Sequence, residues 1–390
     1  MPPASQTRAV QRPADFRVLD GRIYANILSF LSGNGPSWDL RRNSALSAQM
    51  ASWLLRCWRI MPSLDIMTLE KFCAKLHREQ VNRLVNCWRA ILAFTQAQAY
   101  AERELVAAFE AAGIPYSLLK GAATGLRLYG DPAARGSSDI DVGVSRRDLF
   151  AAERAARDAG FWPAQKNDRT NLFERADPTF RARVEAAHYE LGFMVRRLQV
   201  TNLSPETRDA IRAEPWCQRL WPGGPDEPWC YALVDIHHSL SLDISLDPVL
   251  ASAHRVETAG HSACVPSDCW LAVHMIYKIY WEGVQHYGKG LYQYADLVRL
   301  VPHMTQGEFD EVTDTLNRFN IVAAGHYVLR RLPLFGVTSP EWVQEHVRST
   351  FRPAAPEEES GDDPFPPPAD VVAADLNDLG DMWARLWGQR

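Results

Sequence analysis

Two aspartates, Asp139 and Asp141, stand two positions apart in the otherwise apolar segment 139–144. Side chains on a strand alternate between its faces, so the two carboxylates are predicted to share one face while Ile140 and Val142 enter a core. Like charges held together repel unless a cation lies between them, and Mg²⁺ prefers carboxylate oxygens. The pair therefore predicts a site for Mg²⁺, with Mn²⁺ as the alternative. Removing one of these charges is expected to leave the metal-free protein as stable or slightly more stable.

The turn before this segment carries groups that suit a phosphate. An apolar strand is predicted to end at Leu119, and a helix is predicted to follow the Lys120-Gly121 turn. The first N–H groups of a helix have no partner inside the helix, so they can bind an anion, and Lys120 adds positive charge. With the carboxylate pair, this turn predicts a site where Mg²⁺ presents a nucleoside triphosphate to an acceptor.

A third carboxylate stands on a later predicted strand. Leu233, Asp235 and His237 alternate with apolar residues, so they are predicted to share a face. If this strand lies beside the Asp139/Asp141 strand, three carboxylates converge on one point. His237 is more often a supporting or core residue than a catalyst, and the same holds for His188.

These motifs together resemble the DNA polymerase β-like nucleotidyltransferase superfamily. Within it, the chain resembles the bacterial family called uncharacterised nucleotidyltransferase, the NTP-transferase 5 group, over roughly residues 80–335. The motifs that carry the resemblance are Gly113-Ile114, Leu119-Lys120-Gly121, Arg127-Leu128-Tyr129-Gly130-Asp131-Pro132 with Arg135, Ser138-Asp139-Ile140-Asp141-Val142, Val234-Asp235-Ile236-His237, His274 with Lys278, and Tyr294-Ala295-Asp296-Leu297.

The resemblance implies an α+β fold, in which a small mixed sheet with flanking helices lies between two helical regions. It also implies that Asp139, Asp141 and Asp235 are catalytic and bind the metal, with Asp235 as a candidate general base. The residues that it implies for nucleotide binding are Lys120, Gly121, Ala122, Arg135, Ser138, His274 and Lys278.

The chain departs from the superfamily at the phosphate turn. Many members carry a serine hydroxyl or a second glycine there, whereas this chain has Gly121-Ala122-Ala123. Two assignments have structural alternatives. Arg135 could pair with one of the motif's aspartates and hold the loop, and His274 with Lys278 could form a polar stripe one helical turn apart.

The hydrophobic pattern predicts six parts. They are a disordered segment 1–15, a helical region 16–112 with a long helix over 78–112, a nucleotidyltransferase core 113–250, a helical region 251–352, an acidic Pro-rich linker 353–370 and an amphipathic helix 371–390. Within the core, strands are predicted over 116–119, 139–144, 184–195 and 231–240. Helices are predicted over 122–129 and 147–159.

Composition limits the partners and the compartment. No apolar run reaches the length of a membrane span, no secretory signal is visible, and the seven cysteines include no C-x-x-C pair. Cys264 and Cys269 could form a disulfide that closes a loop, but buried thiols are the favoured interpretation. A cytoplasmic location is expected, and a membrane partner is not. The basic segment 41–100 is interpreted as a solvated helix face rather than a nucleic-acid site.

The sequence favours an enzyme that transfers a nucleoside monophosphate, with ATP as a candidate donor, to a small molecule, peptide or protein. A role in natural-product biosynthesis is an expectation from the resemblance alone. The main alternative is an inactive nucleotidyltransferase fold that binds nucleotide or acts as a scaffold, and a second copy of the chain is a further candidate partner. Addition to RNA is disfavoured because no RNA-binding motif is evident, and no kinase catalytic loop occurs.

Overall fold

A computed structural model describes residues 78–332 of the chain, except 168, 171, 215–216, 242–243, 259, 287–290 and 330–331. The predicted disordered segment 1–15, the first part of the helical region 16–112, the linker 353–370 and the helix 371–390 lie outside the described residues.

A six-stranded mixed sheet forms the centre of the described chain. Its strands are β1 (Tyr116–Leu118), β2 (Ile140–Val144), β3 (Trp162–Lys166), β4 (Phe173–Arg175), β5 (Met194–Gln199) and β6 (Trp229–His237). The order across the sheet is β1-β2-β6-β5-β3-β4. Strands β2 and β6 are parallel and the other neighbours are antiparallel. The α+β prediction of a small mixed sheet with flanking helices is confirmed.

Helix α1 (Arg78–Ala111) covers one face of this sheet. Arg196 of β5 lies opposite Ala232 of β6 in register, and its Nη1 binds Glu104 Oε2 of α1 at 2.9 Å. Side chains alternate along β6, so the face towards α1 also carries Val234. The opposite face carries Asp235 and His237.

The end of α1 follows from its sequence. Gly113 has φ +65°, a left-handed conformation that glycine adopts without strain, and it stops the helix. The Gly113 N–H donates to the carbonyl of Glu110, and the Ile114 N–H donates to that of Phe109. The chain then enters β1, as predicted.

Further helices surround the sheet. They are α2 (Lys120–Tyr129), α3 (Leu149–Asp158), α4 (Pro178–Ala187), α5 (Pro205–Ala213), α6 (Asp247–Ser252), α7 (Asp268–His286), α8 (Leu291–Leu300), α9 (Gln306–Arg318) and α10 (Val322–Leu329). Arg127 of α2 forms a two-bond ion pair with Asp268, the first residue of α7, at 2.7 and 2.9 Å. Ser267 caps α7, since its Oγ accepts from the Trp270 N–H at 3.4 Å.

Two predicted elements differ from the structure, and strands β3 and β4 and helices α5 and α6 have no predicted counterpart. The strand predicted over 184–195 is wrong in its first part, because α4 runs to Ala187 and β5 begins only at Met194. Asp177 and Pro178 start this helix: the Asp177 carboxylate accepts the N–H of Thr179 at 2.7 Å, and proline suits the first helical position. The predicted helical region 251–352 instead opens with a hairpin of β7 (His254–Thr258) and β8 (His261–Val265).

The buried core contains residues of α1, of the sheet and of helices α7 to α10. All five cysteines in the described part, Cys87, Cys217, Cys230, Cys264 and Cys269, are free thiols. Among the described helices, none is long and apolar enough to cross a membrane.

Candidate functional site

The parallel pairing of β2 with β6 creates the site. It places Asp141 directly opposite Asp235, and Gly143 opposite His237. One ligand atom from each of Asp141, Asp235 and His237 lies within 4.8 Å of the other two, and all three residues are buried. The condition stated from sequence, that these two strands lie side by side, is met, and His237, which was interpreted as a supporting residue, belongs to the same cluster.

Asp139 lies just before β2, at the edge of this cluster. Its Oδ1 accepts hydrogen bonds from Ser137 Oγ at 3.2 Å and from Ser138 Oγ at 3.0 Å. Ser138, predicted to bind nucleotide, therefore holds Asp139. The three-residue metal candidate of the described chain contains His237 where the sequence predicted Asp139.

Asp141 is held as an anion by two neighbours. Lys120 Nζ donates to Asp141 Oδ1 at 2.5 Å, and His237 Nε2 lies 2.8 Å from the same oxygen. Burial alone would raise the pKa of Asp141, but the Lys120 ammonium and the hydrogen bond with His237 hold this pKa well below its usual range. Burial would lower the pKa of Lys120, yet the charges of Asp141 and Asp139 raise it. Both groups are therefore charged.

Asp235 has the opposite environment. Its Oδ1 is buried and has no hydrogen-bond partner among the described residues. Burial, followed by the negative charges of Asp141, Glu190 and Asp139, raises the pKa of Asp235 well above its ordinary value. A buried acceptor oxygen without a donor, beside other carboxylates, fits a hard divalent cation such as Mg²⁺ or Mn²⁺.

Two site residues had no usable signal in the sequence. Glu190 forms a β-bridge with His237, and its Oε2 lies 3.8 Å from His237 Nδ1. The ring of Tyr189 stacks on the His237 imidazole at 5.5 Å between centroids. Both lie between α4 and β5, in the segment mistaken for a strand, so no periodicity could show which way they point. The neighbouring His188 is exposed.

The turn into α2 matches the predicted phosphate turn in position. Helix α2 begins at Lys120, which has φ +45°, and no side chain caps the helix at Leu119. Gly121 and Ala122 are buried in the first turn, close to the loop that leads into β2. That these residues bind a phosphate stays a prediction.

Gly121→Ala should destabilise the fold through this loop. The new Cβ would lie 2.8 Å from Ser137 Oγ and 2.9 Å from Arg135 Nη1, so at least one of these side chains must move. We expect a loss of about 1–3 kcal/mol in the free energy of unfolding, measured by urea denaturation. Gly307→Ala is the matched control, because no atom lies within 4 Å of its Cβ. Equal denaturation midpoints for the two variants would contradict this expectation.

Arg135 lies beside the phosphate turn but binds within the protein. It donates from Nη2 to Asp296 Oδ2 at 2.8 Å and from Nη1 to the Gly136 carbonyl at 2.7 Å. Asp296, on α8, also accepts from the Tyr129 hydroxyl at 2.9 Å. Arg135 and Asp296 are both buried, so this pair ties α8 to the loop before β2. The structure thus gives Arg135 the loop-holding contact considered from sequence, although with Asp296 as its partner.

Helix α7 brings His274 and Lys278 towards the cluster. His274 is buried, and burial, followed by the positive charges of Lys120 and Lys278, holds its pKa well below the ordinary value, which favours the neutral imidazole. Whether it and Lys278 bind a nucleotide stays a prediction.

Comparison with known proteins identifies the family of the chain. Among curated proteins, no sequence matches the chain. A crystal structure of an antigenic nucleotidyltransferase-like protein from Paracoccidioides brasiliensis is 14% identical, with 60% of this chain and 91% of that chain covered and a TM-score of 0.31. The family model described as "Uncharacterised nucleotidyltransferase" matches residues 67–335. The chain belongs to the uncharacterised nucleotidyltransferase family.

Proposed function

We propose that this protein is a Mg²⁺-dependent nucleotidyltransferase. It transfers a nucleoside monophosphate from a nucleoside triphosphate to a hydroxyl or similar group on a small molecule, peptide or protein, and it releases pyrophosphate. The observation that carries the proposal is the pairing of Asp141 with Asp235 across two parallel strands, with a buried oxygen on Asp235 that has no partner within the described part of the chain. Family membership supports the reaction type.

The donor set fits a divalent cation. Asp141 and Asp235 would hold it, with Asp139 and His237 as the nearest further ligands. When bound, the cation supplies positive charge that stabilises the triphosphate and the charge that develops at the α-phosphorus. Mn²⁺ suits the same oxygens.

The protein's own residues would then act on the donor and the acceptor. The acceptor oxygen forms a bond to the α-phosphorus, and the bond from that phosphorus to the bridging oxygen breaks, so pyrophosphate leaves with the electron pair. The proton of the acceptor hydroxyl passes to the carboxylate of Asp235. Lys120 and the first N–H groups of α2 bind the phosphates, since no hydroxyl stands at Ala122 or Ala123.

The alternative function is an inactive fold that binds nucleotide or a protein partner. One observation favours it: Lys120 and His237 already bind the Asp141 oxygen that a cation would use. The retained aspartates favour the enzyme.

We further propose a cytoplasmic location, in line with the free thiols, a role in a biosynthetic pathway, and no nucleic-acid partner. Self-association remains a prediction.

The test is incubation of the protein with each α-³²P-labelled nucleoside triphosphate and Mg²⁺, first with water as acceptor and then with fractions of a cell extract. We expect pyrophosphate release and label transfer that disappear with EDTA and in Asp235→Asn. The control, Asp209→Asn, removes an exposed carboxylate that pairs with Arg212 of its own helix, and it should keep full activity. Nucleotide binding without pyrophosphate release or label transfer would support the inactive fold instead.

A further inference from the structure

Four polar and aromatic residues form a single stripe along α7. His274, Tyr277, Lys278 and Trp281 follow each other at the three- and four-residue spacing that places side chains on one side of a helix. The other side of α7 carries Val273, Ile276 and Ile279, which are buried in the core. The stripe is therefore distinct from the side that packs the helix into the protein.

The buried end of the stripe faces the aspartate cluster. Helix α7 packs against α2, and the ion pair of Asp268 with Arg127 fixes the two helices together. Lys120 and His237 lie close enough to His274 to influence its pKa, and both residues contact Asp141. A ligand bound at Lys120 would thus lie near the His274 end of the α7 stripe.

The other end of the stripe is a pair of stacked rings, of which Trp281 is exposed and Tyr277 is half-buried. The rings of Tyr277 and Trp281 are nearly parallel, with 12° between their planes and 6.2 Å between centroids. Trp281 is 45% exposed, although large apolar rings are usually buried when they serve only the fold. At 1.5 Å per residue, Trp281 lies about 10 Å beyond His274 and about 4.5 Å beyond Lys278 along the helix axis.

We infer that Trp281, supported by Tyr277, stacks on the base of the nucleoside triphosphate. This inference rests on the proposed function, in which the phosphates bind near Lys120. The ribose separates the base from the phosphates, as the length of the stripe separates Trp281 from His274. An exposed indole that is already stacked on one neighbour offers a rigid surface to a planar base. Because stacking strengthens with ring area, purine triphosphates should bind more tightly than pyrimidine triphosphates.

The test compares ligands with and without a base. The affinities of ATP, GTP, CTP, UTP and inorganic tripolyphosphate are measured by calorimetry in Mg²⁺ for the unsubstituted protein, Trp281→Ala and Trp281→Phe. We expect Trp281→Ala to weaken purine nucleotide binding about tenfold or more and to leave tripolyphosphate binding unchanged. Trp281→Phe should restore most of the affinity. The control is Tyr100→Ala, which removes a ring of similar exposure, 46%, from α1 on the opposite face of the sheet.

Two results would overturn the inference while leaving the proposed function intact. Unchanged nucleotide affinity in Trp281→Ala would show that the base binds elsewhere, and the exposed rings would then suit a macromolecular partner. An equal loss of nucleotide and tripolyphosphate affinity would show that Trp281 acts on the phosphates or on the fold. If the unsubstituted protein binds none of the four nucleotides, the proposed function fails and the inference fails with it.

Discussion

Asp235→Asn is expected to abolish nucleotide transfer while making the metal-free protein more stable. Asp235 Oδ1 is buried and has no hydrogen-bond partner among the described residues, and the carboxylate lies next to other negative charges. An asparagine removes the buried charge, and its amide can donate to the Asp141 or Glu190 carboxylate. We expect a gain on the order of 1 kcal/mol, or about 2–4 °C in Tm, measured by thermal unfolding in EDTA.

Asp141→Asn provides the comparison, because it should lose both activity and stability. Lys120 and His237 both contact Asp141 Oδ1, so the substitution removes the anionic partner of a buried ammonium group. We expect a loss of about 1–3 kcal/mol. From sequence, removing either charge of the Asp139/Asp141 pair was expected to leave the metal-free protein as stable or slightly more stable. For Asp141 we now expect the opposite, because Lys120 contacts its carboxylate. Tm shifts of the same sign in Asp235→Asn and Asp141→Asn would contradict these assignments.

Asp296→Ala is expected to have the largest effect on stability. Asp296 accepts hydrogen bonds from Arg135, Tyr129 and Thr124 in a buried site. Removing one partner of a buried ion pair leaves the other charge without compensation, which costs about 3–5 kcal/mol. Asp209→Ala, which breaks an exposed pair with Arg212, should cost less than about 1 kcal/mol. Urea denaturation measures both.

Variants of the Arg135–Asp296 ion pair test the role of Arg135. If Arg135 serves the fold, Arg135→Met should lower the unfolding free energy, and Arg135→Met combined with Asp296→Leu should recover part of the loss, because neither charge is then left alone. The nucleotide affinity of the folded protein should stay within a few-fold of the parent. Loss of nucleotide affinity at unchanged stability would instead support the phosphate-binding role that the sequence predicted.

The sequence predicted the residues of the site better than their contacts. The alternation of Asp139, Asp141 and Asp235 with apolar residues was sufficient to predict which side chains share a face, because that period follows from strand geometry. The pairing of β2 with β6 was only a condition in that argument, because the sequence does not show which strands pair when they are far apart in the chain. Its register placed Asp141, rather than Asp139, opposite Asp235.

Contacts that depend on loops could not be predicted. Tyr189 and Glu190 reach His237 from a segment that is neither helix nor strand, and the pattern around them was mistaken for a strand. Arg135 was recognised as important, but its partner Asp296 lies on a helix far along the chain. Long-range ion pairs of this kind follow from packing and have no local signature.

The register of β2 against β6 also sets which length changes the chain can tolerate. Deleting one residue between Tyr231 and Asp235 would turn the aspartate to the face covered by α1, because side chains alternate with a period of two. Deleting two residues would restore the face but move the carboxylate about 7 Å along its strand, away from Asp141. An insertion in the turn segment 222–227, before β6 begins, changes neither the face nor the register. Insertions and deletions in this protein should therefore separate sharply into tolerated loop positions and inactivating strand positions, with the boundary at Trp229.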